Sequence, residues 1–182
     1  MKQYTLAPVL LAAIFVACLS NSNDKSSSPV KENIKPEHTT SNRTDGSIFN
    51  GSWTYRSLLN DPDWKLSFDQ LQFASAIMDL KTVGKDSITG ILYWADNPKR
   101  GLTISGKYYF QDTVVCYSLI GTGSAALGTT GWQYDYKGYV VSKWANGIQQ
   151  ADVLVGSTVR AKPHNGAPAG MVATTYMVRR QQ

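Results

Sequence analysis

Glutamate is missing from the last three quarters of this 182-residue chain, since Glu32 and Glu37 are its only two. Charged residues of all kinds make up 17%, against about 25% in an average soluble domain, which excludes a polyelectrolyte and a wholly disordered chain. Cysteine is scarce: Cys18 and Cys116 cannot build a disulfide framework. Two histidines, His38 and His164, are too few beside them for a transition-metal centre of three or four ligands. The chain lacks a G-x-x-x-x-G-K-[ST] loop, an H-E-x-x-H pair and a Ser-His-Asp arrangement, so no cofactor is expected. Gly121-Thr122-Gly123-Ser124 imitates a Gly-rich loop, but it leads into a strand rather than a helix.

What is present divides by composition into three parts. Lys2 and the α-amino group open the chain, and Leu6–Cys18 follows without a charge. That stretch suits the apolar region of a secretory signal, about 7–15 residues, and is too short for the ~20 of a membrane-spanning helix. It ends Phe15-Val16-Ala17-Cys18 and passes into Leu19-Ser20-Asn21. The ending resembles the lipobox of bacterial lipoproteins, matching at Val16 and Ala17 and departing at Phe15, where the family mostly has Leu. The resemblance implies a signal peptide over 1–17, cleavage before Cys18, and lipidation of its thiol. The chain would then be exported to the cell envelope and lipid-anchored to a bacterial membrane, the expected one being the outer membrane on its periplasmic or surface face. The alternative is ordinary signal-peptidase cleavage near Ser20, which discards Cys18. Residues 18–45 are rich in Ser and Asn, hold Pro29 and Pro36, and contain no Phe, Tyr or Trp. Such a segment buries too little apolar area to offset chain entropy and reads as a flexible linker. His38 lies in it and carries no catalytic expectation.

From Gly46 onward all five Trp and most of the Tyr and Phe appear. Abundant Thr, Tyr, Val and Gly without Glu favour strands over helices. Strand-sized stretches recur between turn signals: Gly51–Ser57, Phe73–Lys81 after an irregular start at Phe68, Ser87–Ala95, Gly101–Gln111, Thr113–Gly121, Gly131–Ser142, Asp152–Lys162 and Ala169–Arg180. Eight strands with short connections and no βαβ pattern predict an all-β domain over 46–182, an antiparallel up-and-down β-barrel. A two-sheet β-sandwich is the alternative. Ile88, Gly90, Leu92 and Trp94 fall on one face of their strand, with Thr89, Ile91 and Tyr93 on the other.

Gly51-Ser52-Trp53 opens the first strand of this domain. A G-x-W there resembles the calycin superfamily, which includes lipocalins and avidin-like proteins. The resemblance implies that Trp53 packs across the barrel's closed end, with a basic residue from a late strand over it. Arg160 or Arg179 is the candidate, through a cation–π contact of about 0.5–2 kcal/mol. The runs Trp132–Tyr139, Trp144–Gln150 and Val155–Arg160 with Pro163-His164 are also similar to a bacterial barrel family sometimes attached to tyrosinase-like enzymes. No catalytic residue comes with that likeness.

Trp132, Tyr134 and Tyr136 alternate on one face with Asp135 opposite, and Tyr139, Trp144, Asn146 and Gln149 follow. Flat rings supply contact area and amides fix orientation, which is what a concave small-molecule site requires. Equally, these rings can fill a small barrel, whose interior eight strands leave barely wide enough for side chains. His164 would need a carboxylate such as Asp135, Asp152 or Asp61 beside it for acid–base work, and Pro163-His164-Asn165-Gly166 otherwise reads as a turn. Cys116, between apolar neighbours, reads as a small buried hydrophobe. The domain's 13 Lys and Arg against nine Asp leave a scattered +4, which does not favour nucleic acid. The functional expectation is a membrane-anchored barrel that binds a small apolar or aromatic ligand. The alternatives are an accessory module that docks an envelope protein or polysaccharide, and a cofactor-free isomerase using Asp135 or His164.

Overall fold

The computed structural model describes residues 46–144 and 146–181. The expected signal peptide over 1–17, the lipidated Cys18 and the linker to residue 45 lie outside the described residues. The described part contains eight strands: β1 Gly51–Leu59, β2 Gln72–Val83, β3 Ser87–Trp94, β4 Asn97–Gln111, β5 Val114–Thr122, β6 Gln133–Val141, β7 Val153–Arg160 and β8 Val172–Arg179. A single 3-10 turn, Gly46–Phe49, precedes β1, and a four-residue helix, α1 Phe68–Leu71, precedes β2.

Each strand pairs antiparallel with its neighbours in sequence, and β8 closes onto β1. The architecture is therefore a closed, eight-stranded up-and-down barrel. Because β1 bonds both β2 and β8, no sheet edge is left open, and the sandwich alternative is excluded. Strand boundaries follow the turn signals with one notable difference. β4 starts at Asn97 and runs through Pro98, where the sequence suggests a turn lasting to Gly101. Proline is accommodated there because the β3–β4 register shifts between Tyr93 and Trp94, at an irregular strand end. The irregular start at Phe68 is α1, capped reciprocally: Ser67 Oγ accepts from the Gln70 N–H and Gln70 Oε1 accepts from the Ser67 N–H.

Side-chain alternation turns one residue in two toward the barrel axis. Trp53, Met78, Leu80, Ile88, Leu92, Leu102, Ile104, Tyr117, Leu119, Leu154 and Met177 form one buried cluster inside. Odd-numbered strands run from the end near Gly51 to the end near Leu59, and even-numbered strands return. This alternation decides which residues share an end.

The half of the barrel near Gly51 is packed full. Tyr117 is completely buried there, and its hydroxyl donates to the Val155 carbonyl at 3.4 Å. Its ring fits because Gly138 and Gly156, register partners on β6 and β7, leave the space beside it empty of side chains. A Cβ on Gly138 would lie 2.0 Å from the Val155 carbonyl oxygen and 2.5 Å from the Tyr117 hydroxyl. The substitution Gly138→Ala must therefore displace backbone or ring, and a destabilisation of about 1–3 kcal/mol is expected. Calorimetry should record a melting temperature several degrees below wild type; an unchanged one would contradict this packing.

Candidate functional site

The two barrel ends differ in chemistry. At the Gly51 end the 3-10 turn plugs the opening: Phe49 is fully buried between Tyr108 and Tyr117, at ring distances of 5.6 and 6.1 Å. Trp53 lies beneath it, and its indole N–H donates to the Phe49 carbonyl at 3.0 Å. The Arg179 guanidinium covers Trp53 at 4.4 Å from the ring centroid. It also donates to the Ile48 and Asn50 carbonyls and, through Nε, to Asp152 Oδ2 at 2.9 Å. Lys143 approaches the other oxygen of Asp152 at 3.2 Å. Burial works against ionisation of Asp152, but hydrogen bonds from Arg179 and Lys143 outweigh it and hold the carboxyl below its ordinary value. Gly51 is the residue this end requires, because its φ is +129° and a Cβ would meet the guanidinium at 2.8 Å.

At the opposite end the barrel opens into a cavity of about 270 Å³. Its walls carry Phe73 from β2, Trp94 from β3, Arg100 from β4, Trp132 just before β6, Tyr134 at the start of β6, and Arg160 at the end of β7. Tyr55 and Tyr136 also line it and meet edge to face at 6.0 Å. Burial pushes the Tyr55 hydroxyl up to about 12, and burial likewise holds Tyr136 well above the ordinary phenol value. Both phenols therefore stay protonated and neutral near pH 7.

His164 completes the rim. The tight turn Asn165-Gly166, with φ of 51° and 73°, lets His164 and Ala167 bridge, which tips the imidazole over the cavity. The ring stacks on Trp132 with centroids 4.1 Å apart and planes 22° from parallel. Nδ1 lies 3.0 Å from the Lys162 carbonyl, which can only accept, so Nδ1 carries the proton. Nε2 then accepts from the Tyr134 hydroxyl at 2.8 Å. Arg100 lies over both Trp94 and Trp132, at 5.4 and 4.8 Å. Arg160 lies over Phe73 at 5.4 Å.

The residues singled out from the sequence are divided between the ends. Trp132, Tyr134 and Tyr136 share the cavity, as does Arg160. Arg160 is thus remote from Trp53; of the two arginines considered for that contact, Arg179 makes it. Tyr139 points out of the barrel and is 48% exposed. Trp144, Asn146 and Gln149 lie in the exposed loop after β6, at the plugged end, where the Gln150 side chain spans Trp144 by hydrogen bonds to its N–H and carbonyl. None of the carboxylates weighed as partners for His164 lines the cavity. Asp135 faces outward on β6, Asp152 pairs with Arg179, and Asp61 accepts from the Asp63 N–H in an exposed turn. Cys116 is buried and free, yet it belongs to the outer face of β5, with Tyr109 and Tyr139 as register neighbours, and not to the interior cluster. Phe73, Trp94 and Arg100 were missed by reading motifs one at a time. Parity marks two of them: Arg100 alternates with Leu102 and Ile104, and Trp94 with Leu92; Phe73 breaks the parity of Ala76, Met78 and Leu80 and sits at the β1–β2 register shift.

Desolvation lowers the His164 pKa from its usual 6.5, and the Arg160 and Arg100 charges add to this against the raising effect of the Lys162 carbonyl. The contribution of this group to stability is complete above the unfolded value and is lost as pH falls through the folded one. An NMR pH titration, assigned with His164→Gln, should place the midpoint below 6.5, and a midpoint at or above that value would contradict the described environment. Comparison with family models, curated proteins and solved structures finds no match to this chain.

Proposed function

We propose that the chain is a membrane-anchored bacterial lipoprotein whose barrel binds a small, flat, apolar or aromatic molecule at the end away from Trp53. The observation that carries the binding reading is the cavity itself. One half of the barrel is filled, while the other keeps about 270 Å³ walled by rings from several strands. That volume lies just under the about 300–1,000 Å³ of typical ligand pockets and suits a molecule of one or two rings. The edge-to-face series Trp94–Trp132 at 5.8 Å, Trp132–Tyr134 at 6.5 Å and Tyr134–Phe73 at 6.2 Å presents ring faces and edges to such a guest. A calycin-like ancestry is part of the proposal, supported by the G-x-W residues Gly51 and Trp53 with Arg179 across the indole. The accessory-module alternative draws support from a different surface: Tyr109, Tyr139 and Tyr176 are exposed on the outside of β4, β6 and β8, in one row with Cys116 of β5 and Val155 of β7 between them.

Titration with 2-naphthamide, followed by quenching of tryptophan fluorescence, tests the pocket. Saturable quenching is expected, weakened about three- to tenfold by Trp132→Leu. No saturable binding, or binding indifferent to that substitution, would remove the proposal in favour of the accessory module. The anchor is checked separately by labelling cells with palmitate, where label on wild type but not on Cys18→Ser is expected, and an unlabelled wild-type protein contradicts it.

A further inference from the structure

The charge in the cavity is of one sign. Arg100 and Arg160 line it, and none of the domain's nine Asp does. Among the described residues neither guanidinium forms an ion pair, although the other end of the barrel shows that Arg179 in this chain does so with Asp152. Arg160 is only 9% exposed, and its Nε has no hydrogen-bond partner; its Nη1 reaches just the Pro168 carbonyl at 3.3 Å. The Nε of Arg100 is likewise buried and without a partner. A guanidinium removed from water needs its donors met, and ring faces compensate the charge without accepting those N–H groups in the plane of the fork.

Two partly unsatisfied cations above an aromatic floor describe the complement of an amphipathic anion. The guanidinium fork matches a planar carboxylate, whose two oxygens accept parallel N–H bonds. Uncharged His164 does not compete for that anion, and its stack on Trp132 extends the flat wall.

We propose that the molecule bound in the mouth is an organic acid, with an aromatic or apolar body against Trp132 and Trp94 and a carboxylate received by Arg100 and Arg160. This proposal rests on the reading of the mouth as a ligand site and adds the chemical class of the ligand.

The test compares 2-naphthoate with 2-naphthamide on the full-length protein, two probes of nearly the same shape that differ in charge. Binding of the naphthoate should be about tenfold or more tighter at neutral pH, as expected for hydrogen bonds to a charged group. Arg100→Met, at the less buried of the two arginines, should remove most of that preference, read as the ratio of the naphthoate and naphthamide affinities measured on the same variant. Arg160→Met should do the same, with circular dichroism confirming that it folds. If both probes bind equally, the pocket stands and the acid proposal falls. If naphthoate is preferred but the preference survives both substitutions, the arginines are not its receptor and the proposal is overturned. If neither probe binds, both readings fail together.

Discussion

The contact between Arg179 and Trp53 makes the barrel one-ended. The guanidinium lies on the indole, holds the carbonyls of the 3-10 turn, and ties β8 to Asp152 at the start of β7. With that turn fixed, Phe49 is pressed between Tyr108 and Tyr117, and fully buried side chains occupy the near half of the interior. A cylinder of eight strands can be packed with side chains along its whole length. Here the rings at the plug pack against one another and the 3-10 turn, while those at the other end wall a cavity. The position of the candidate site thus follows from how the opposite end is sealed.

The two ends also use arginine differently. Arg179 has an indole, backbone carbonyls and a carboxylate, so its charge and its donors are answered within the chain. Arg100 and Arg160 have ring faces and little else. The proposed preference for an acid rests on that contrast within one molecule: three arginines lie over aromatic rings, and two of them retain unanswered donors. Burial keeps the nearby phenols protonated and His164 uncharged, so nothing of opposite sign arises from titration near neutral pH.

Much of the fold was legible in the sequence because strand and turn chemistry agree along the domain. The Asn-Gly and Asp-Pro punctuation sets strand lengths, and Ile88, Gly90, Leu92 and Trp94 announce the inner face of β3. The site was legible only in part. Trp132, Tyr134 and Tyr136 were picked out for their rings and do share the cavity, whereas Tyr139, Trp144, Asn146 and Gln149 were grouped with them by nearness in sequence. An up-and-down barrel breaks that grouping, since β6 enters at the mouth and leaves at the plug, some 3.4 Å per residue further on. The same rule separates the arginines. Arg160 ends an odd-numbered strand and lies at the mouth, while Arg179 ends an even-numbered one and returns to Gly51. What remained hidden was Arg100, which lies just after Pro98 in a stretch that reads as a turn although it shares the parity of Leu102 and Ile104.

The central claim is that ligands enter the end of the barrel away from Trp53. Four of the tryptophan indoles bear on it directly: Trp94 and Trp132 wall the mouth, Trp53 is sealed in the plug, and Trp144 is 82% exposed outside it. A two-dimensional ¹H–¹⁵N spectrum recorded during titration with 2-naphthoate reads all of them at once. The account predicts that the Trp94 and Trp132 indole signals shift together and saturate while those of Trp53 and Trp144 stay in place. Shifts confined to Trp144, or an unchanged Trp132, would contradict it.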